Sequence, residues 1–223
     1  KLYEKNGKMK DAVLHYSIAT VNRQNFPYAL SGLASIAVSK KEYTKALALY
    51  QQADSLIPDH TFKEGIEEIY ALTGETDKAK LIAGEILNYM KQFSSDGKKD
   101  KNAGQNEDHE MAHAYMGVGN YDKALEYALL EYNRRPSNIE VNETVAVVYY
   151  NKGDYTKALP YLERALKTNC KNPELLCNAG LIYAKAGKTK EAQQFLHEAL
   201  KNNPNIPADM QEDAEKALSS LHQ

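Results

Sequence analysis

Alanine recurs at a nearly fixed interval along this 223-residue chain, and that period restricts the fold more than any other feature. The recurring positions are Ala12, Ala46, Ala79, Ala124, Ala158 and Ala192. Counted from the last of them, the separations are 34, 34, 45, 33 and 34 residues. A period of this length is typical of chains that stack copies of one supersecondary unit, each burying its apolar face on its neighbours. The sequence therefore predicts a repeat architecture without a single central core.

Each copy has the pattern of a helical hairpin, most clearly over residues 173–206. The first helix carries an apolar stripe at i, i+3, i+4 and i+7, formed by Leu176, Ala179, Gly180 and Tyr183. A second stripe follows at Ala192, Phe195, Leu196, Ala199 and Leu200. Gly187 lies between the two stripes and permits the positive φ that a tight turn after a helix requires. The pattern predicts two antiparallel helices joined by a short turn.

Two further landmarks keep the same period. The aromatic residue that closes the first helix recurs as Tyr3, Tyr70, Tyr115, Tyr149 and Tyr183. The turn glycine recurs as Gly7, Gly74, Gly119, Gly153 and Gly187. With the alanines and the prolines that close three of the units, Pro58, Pro136 and Pro204, this order of landmarks resembles the tetratricopeptide repeat family. The resemblance implies an all-α fold, a right-handed superhelical solenoid of helical hairpins.

The repeat register predicts one solenoid over residues 1–206 and a C-terminal capping helix over 207–223. The predicted repeats cover residues 1–26 as a partial unit, then 27–59, 60–93, 105–138, 139–172 and 173–206. Residues 94–104 are polar and rich in lysine, account for the one spacing of 45, and are predicted to form a flexible insertion. The chain starts inside a repeat, so we expect upstream sequence in the natural protein, and the compartment is left undetermined.

Composition and motifs point away from several function classes. The formal net charge of −2 gives no general attraction to nucleic acid, and no apolar run is long enough for a membrane span. The sequence contains neither a glycine-rich phosphate loop after a strand nor a serine nucleophile elbow. We therefore predict a non-catalytic protein that needs no cofactor.

In the family that the chain resembles, the first helices of successive hairpins line a concave groove. Carried onto this register, the groove positions predicted to contact a partner are Tyr28, Glu64, Glu68, His109, His113, Glu143 and Tyr150. Carboxylates outnumber basic groups at these positions. We therefore predict a scaffold that binds a basic or amphipathic segment of a protein or peptide.

Two alternatives to this interpretation come from other function classes. Residues 109–113 read His-Glu-Met-Ala-His, an H-E-x-x-H pattern that places two histidines on one helix face, where they can bind zinc. Glu143, one helix further on, would complete a set of two histidines and a carboxylate for a metal-binding protein or a zinc hydrolase. The repeat already assigns Met111 and Ala112 to buried positions, which favours groove histidines. The second alternative is self-assembly as a homo-oligomer through the N-terminal end.

Overall fold

The computed structural model describes residues 9–23, 25–97, 108–201 and 206–221, and this part of the chain contains twelve helices and no strand. The helices are α1 (Met9–Asn22), α2 (Pro27–Ser39), α3 (Tyr43–Leu56), α4 (His60–Leu72), α5 (Thr76–Gly97), α6 (Asp108–Gly117), α7 (Tyr121–Arg134), α8 (Ile139–Asn151), α9 (Tyr155–Leu166), α10 (Pro173–Lys185), α11 (Thr189–Lys201) and α12 (Ala208–Leu221). None of these helices has the length and apolarity needed to cross a membrane.

The chain divides into two compact units. Unit 1 comprises Lys1–Ile86 and Asn203–Asp209, and unit 2 comprises Leu87–Asn202 and Met210–Gln223. Unit 1 contains the hairpin of α2 and α3, flanked by α1 and by α4 with the first part of α5. Unit 2 contains three hairpins, α6 with α7, α8 with α9 and α10 with α11. The predicted all-α fold of stacked helical hairpins is confirmed.

The recurring alanines lie where the repeat pattern requires them. All six are buried, and Ala46, Ala124, Ala158 and Ala192 have no solvent exposure. A methyl side chain at this point of the second helix allows neighbouring backbones to approach closely, which a larger side chain would prevent. The need for a small side chain at this contact in every hairpin therefore explains why alanine recurs with the length of one hairpin.

The turns of the hairpins use left-handed backbone conformations. Gly74, Gly119, Gly153 and Gly187 have φ values between 71° and 77°. The α2–α3 turn uses Lys41 instead, with φ of 59°. A lysine in this conformation costs roughly 1–2 kcal/mol that glycine avoids, so the α2–α3 turn is the most strained of the set.

The hairpins pack by placing glycine against a large side chain. In unit 1, a Cβ added at Gly32 would overlap the Tyr16 ring, and one at Gly65 would overlap the Tyr50 ring. In unit 2, a Cβ at Gly180 would overlap Leu196 of the same hairpin. The glycines of unit 1 thus permit contact between successive hairpins, whereas Gly180 permits contact within one hairpin.

Helix α5 continues past the predicted end of the third repeat, whereas the C-terminal helix lies within its predicted segment. Helix α5 continues to Gly97, so residues 94–97, assigned to the insertion, are helical; nothing in Ser94, Ser95 or Asp96 stops a helix that has already formed. Residues 98–104 of the insertion lie outside the described residues. The capping helix runs from Ala208 to Leu221, and its Ala214 is fully buried.

Candidate functional site

The candidate contact residues of unit 1 lie on α2 and α4, the first helices of two hairpins. Tyr28, in the first turn of α2, is 49% exposed. Its hydroxyl donates a hydrogen bond of 3.0 Å to Oδ2 of Asp59, the N-cap residue of α4, and its ring centroid is 5.5 Å from that of Phe62. Tyr28 is therefore held in place at one end and open to solvent along one face.

Helix α4 carries a group of carboxylates. The Glu64 side chain is 55% exposed, with Oε1 4.0 Å from Nε2 of His60, whereas Glu67 and Glu68 are half-buried. Burial, and after it the negative charges of Glu64 and Asp209, raise the pKa of Glu67 to about 7. The neighbours that act on Glu67 are thus acidic, and a cation at this place would lower its pKa.

Glu67 is a candidate contact residue that the sequence prediction missed. It lies twelve residues before the repeat alanine Ala79, a position occupied by a small residue in the other hairpins, namely Ala34, Ala112, Ala146 and Gly180. A carboxylate in place of a small buried residue was visible in the sequence. It is the signal that would have identified Glu67.

In unit 2, both predicted histidines of α6 contact Thr144 of α8. His109 Nε2 and His113 Nε2 lie 3.1 and 3.2 Å from Thr144 Oγ1, and the ring centroids are 4.7 Å apart. Thr144 donates its single hydroxyl proton to the Glu140 carbonyl at 2.9 Å. Its oxygen therefore accepts from N–H groups at both Nε2 positions, so the two rings share one tautomer. This arrangement ties α6 to α8.

His113 favours its neutral form in the folded protein. Surrounding protein atoms, and after them the neighbouring His109, lower the pKa of His113 to about 4. The residue keeps substantial contact with solvent, which screens part of this effect. At neutral pH the His113 ring is therefore uncharged.

Glu143 is hydrogen-bonded to the next first helix. Its Oε1 accepts from Asn178 Nδ2 of α10 at 2.8 Å. Burial is the main cause that raises its pKa to about 7; the Asn178 bond acts in the opposite direction, and the charges of Glu174 and Glu140 add to the rise. Like Glu67 in unit 1, Glu143 is a half-buried carboxyl close to other carboxylates.

Tyr150, on α8, is the last predicted contact residue of unit 2, and Cys177 lies on the next first helix, α10. Tyr150 is half-buried with its ring 5.8 Å from Tyr155, and burial, together with the charge of Asp213, raises the pKa of its hydroxyl. Cys177 is fully buried and donates to the Met210 carbonyl of α12 at 3.5 Å. Polar contacts thus link α6 to α8, α8 to α10, and α10 to α12.

The metal-site candidates His109, His113 and Glu143 do not form a coordination site. Both Nε2 atoms contact Thr144, and Glu143 accepts from Asn178 instead of pointing with the histidines at a common centre. Across the described part of the chain, no group of three His, Cys, Asp or Glu side chains is placed to hold a metal ion. The geometry gives the zinc alternatives no support.

Two tetratricopeptide repeat models match the chain, one over residues 149–212 and the other over residues 1–60 and 109–166. No curated protein sequence matches.

Solved structures of repeat proteins share the fold. A tetratricopeptide repeat protein from Parabacteroides merdae is 18% identical, with a TM-score of 0.64 over 99% of this chain and 80% of its own. A thermophilic TPR protein from Thermus thermophilus is 18% identical, with a TM-score of 0.56 over 86% of this chain and 99% of its own. The APC/C hetero-tetramer Cut9-Hcn1 contains a chain that is 16% identical, with a TM-score of 0.58 over 99% of this chain and 40% of its own.

Proposed function

Since the chain belongs to the tetratricopeptide repeat family, we propose that it is a scaffold that binds a cationic segment of a protein or peptide on its first helices. Proteins of this family are generally non-catalytic scaffolds. Each unit has its own proposed binding surface, formed in unit 1 by Tyr28, Glu64, Glu67 and Glu68, and in unit 2 by His109, His113, Glu143 and Tyr150.

The strongest support for a cationic partner comes from two half-buried carboxyls. Glu67 and Glu143 are half-buried carboxyls on first helices, and each lies near further carboxylates. Concentrating negative charge in a partly desolvated place is unfavourable unless something positive compensates for it. A lysine or arginine of a bound segment would provide that charge, and would gain a charge-assisted hydrogen bond in return.

The aromatic residues fit the same role. Tyr28 presents a solvent-exposed ring fixed by Asp59 and Phe62, a preorganised apolar surface for an aliphatic side chain or the stem of a lysine. Because Asp59 positions the Tyr28 hydroxyl, little conformational entropy is lost when a partner contacts the ring. An amphipathic segment with alternating basic and apolar side chains matches this combination.

The roles of the unit 2 residues differ from those of unit 1. His109 and His113 are joined to Thr144, and Glu143 to Asn178, so these side chains position neighbouring first helices as well as facing a partner. We expect their substitution to weaken binding partly by shifting α6 and α8. A test of both surfaces therefore combines one of these residues, Glu143, with two carboxylates of α4.

Replacing Glu64, Glu68 and Glu143 together by alanine tests the proposal. The probe is a fluorescent amphipathic peptide that carries lysine and arginine, and the reference peptide has glutamate at those positions. We expect the triple variant to bind the basic probe at least about tenfold more weakly, since each charge-assisted contact contributes roughly 1 kcal/mol or more.

A second triple variant, which loses the same number of negative charges elsewhere, controls for the effect of the protein's overall charge on binding. Asp77, Glu126 and Glu191 are exposed carboxylates on second helices, and replacing all three by alanine removes the same net charge. We expect this control to bind the basic probe within about twofold of the unaltered protein at moderate salt, where distant charges are screened. Equal losses in both triple variants, or tighter binding of the glutamate peptide, would contradict the proposal.

A further inference from the structure

A single oxygen atom of α8 sets the tautomer of both histidines of α6. His109 Nε2 and His113 Nε2 lie 3.1 and 3.2 Å from Thr144 Oγ1, whose own proton is donated to the Glu140 carbonyl at 2.9 Å. Both Nε2 atoms therefore carry a proton, and both Nδ1 atoms keep a lone pair. Among the residues that the structure describes, none donates a hydrogen bond to either Nδ1. The two rings thus provide two hydrogen-bond acceptors on one helix face.

The surroundings of this histidine pair suit a cationic hydrogen-bond donor. His109 is half-buried and His113 is exposed, with ring centroids 4.7 Å apart, so a ligand has access to both rings. Glu140 is exposed and lies one helical turn before Thr144, on the same face of α8. Its carboxylate adds negative charge beside the two acceptors. The lowered pKa of His113 keeps that ring uncharged at neutral pH, so it does not repel a cation.

Arginine suits the histidine pair better than lysine does. A neutral imidazole nitrogen accepts a hydrogen bond without carrying charge, so it compensates poorly for removing water from a strongly hydrated ammonium group. A guanidinium group is more weakly hydrated, spreads five N–H donors over one plane and stacks on aromatic faces. It can therefore donate to an Nδ1 atom and contact an imidazole ring with its planar face.

We propose that His109 and His113 form an arginine-binding site, in which the Nδ1 atoms accept hydrogen bonds from a guanidinium group and Thr144 is the positioning residue that fixes their tautomer. This inference rests on the proposed function, since it identifies the cation that unit 2 binds. Glu140 supplies the opposite charge. The site differs in kind from the surface of α4 in unit 1, where carboxylates serve lysine and arginine alike.

Imidazole nitrogen chemical shifts of the free protein test the role of Thr144. We expect both rings to be protonated at Nε2 at neutral pH, because Thr144 offers an acceptor there. Thr144→Val keeps the shape of the side chain and removes the oxygen, so it should lower the population of this tautomer, and Thr144→Ser should restore it. A ring protonated mainly at Nδ1 in the unaltered protein, or an unchanged tautomer in Thr144→Val, would overturn the role assigned to Thr144.

Paired peptides test the ligand. Two versions of the amphipathic probe carry arginine or lysine at every basic position, and both are measured on protein with Glu64→Ala and Glu68→Ala, in which binding to unit 1 is weakened. We expect the arginine version to bind at least about fivefold more tightly, the effect of one additional hydrogen bond. Asymmetric dimethylation of its arginines keeps the charge and removes N–H donors, so it should abolish the preference.

His109→Gln combined with His113→Gln is the matched variant in the same background. A glutamine amide can still donate to Thr144 from the position of Nε2, but it has no acceptor at the position of Nδ1. This variant should bind both peptides equally, whereas His197→Gln, at an exposed position of α11, should keep the preference for arginine.

The outcomes separate this inference from the proposed function on which it rests. Equal affinity of the background protein for the two peptides, or a preference for arginine that survives the double glutamine substitution, would overturn the arginine site and leave the cationic partner standing. Binding of neither peptide, also by the protein with Glu64 and Glu68 intact, would overturn both.

Discussion

Tyrosine rings fill different spaces in the two units. In unit 1, Tyr16 and Tyr50 of second helices pack against Gly32 and Gly65 of the following first helices, so the rings lie between hairpins. In unit 2, the aromatic residue that ends each first helix stacks on an aromatic residue of its own second helix. The three stacked pairs are Tyr115 with Tyr127, Tyr149 with Tyr161, and Tyr183 with Phe195, at centroid distances of 5.5, 5.8 and 5.5 Å.

This difference indicates where each unit obtains its stability. Stacking within a hairpin stabilises that hairpin directly, whereas a ring between hairpins couples one hairpin to the next. Helix caps do not follow this division, because Asp59 caps α4 of unit 1 through its side chain, and α9 of unit 2 begins without a side-chain cap, as α2 and α3 of unit 1 do. We infer that hairpins of unit 2 are individually more stable and that those of unit 1 depend more on their neighbours.

The largest expected effect is at Gly180, inside a unit 2 hairpin. An alanine Cβ would overlap the fully buried Leu196 side chain and lie 3.1 Å from the Leu196 backbone nitrogen, which has no room to move. We expect Gly180→Ala to lower the free energy of unfolding by about 3 kcal/mol. Hydrogen exchange should show the loss concentrated in α10 and α11. A loss spread equally into α2 and α3 would contradict the assignment of this contact to one hairpin.

Gly65→Ala should cost less, about 1–2 kcal/mol, because the atoms it would meet are the outer edge of the Tyr50 ring. The loss of stability should extend to α3 as well as α4. It should be smaller in a Tyr50→Leu background, and chemical denaturation of the four proteins of this double-mutant cycle measures the difference. Gly84 of α5 is the matched control, since no atom lies within 4 Å of its added Cβ. Gly84→Ala should therefore raise stability, by up to about 1 kcal/mol. Additive effects of Gly65→Ala and Tyr50→Leu would show that the two residues are not coupled.

Removing one stacked ring should have a smaller effect again. Tyr149→Leu keeps an apolar side chain and loses the stack on Tyr161 and the contact with the Lys157 ammonium, 5.9 Å from the ring centroid. We expect a loss of about 1 kcal/mol, confined to α8 and α9. Ala37→Tyr, which introduces an aromatic residue at the equivalent position of unit 1, should not stabilise its hairpin, because Ala37 is buried and the position of the second-helix ring is occupied by Leu49.

The effects of pH come last because each is spread over more than two pH units, and a single group changes stability by at most about 1.4 kcal/mol per pH unit. The raised pKa of Glu67 means that the folded state holds its proton to about pH 7 while the unfolded chain releases it near 4.5, so its contribution lowers stability as pH rises between these values. Glu67→Gln should remove this slope and raise stability at pH 8. In unit 2, Glu143 acts in the same direction, but the lowered pKa of His113 lowers stability as pH falls from 6.5 to about 4, so the two contributions oppose each other. Thermal denaturation from pH 5 to 8 will measure the slopes, and an unchanged slope in Glu67→Gln would contradict this interpretation.

Most of the fold follows from residues whose role is local. The roles of the repeat alanines and turn glycines can be predicted from the sequence, because few other residue types allow a close helix contact or a positive φ. The end of α5 was predicted less well, since serine and aspartate permit both helix and loop. A helix that is already formed continues through such residues.

The candidate site was less predictable because its contacts depend on the offset between neighbouring helices. The period places His109 and His113 on one face, but the shared bond to Thr144 becomes apparent only once α6 and α8 are packed. Glu131 is a second example, as its charge suggests a solvent-exposed position. It is 2% exposed and forms ion pairs with Arg134 and Arg135. A pattern of charges in a helix does not reveal which carboxylate the packing will bury.

Titration calorimetry of the basic probe peptide, performed at several pH values and in buffers of different ionisation enthalpy, tests the central claim most directly. A cation bound beside Glu67, or beside Glu143, lowers the pKa of that carboxyl from about 7, so binding should tighten at least about tenfold between pH 6 and pH 8 and should release protons near pH 7. Glu67→Gln combined with Glu143→Gln should abolish both the pH dependence and the proton release. Binding that is independent of pH and releases no protons, or no binding of the basic peptide at all, would contradict the account.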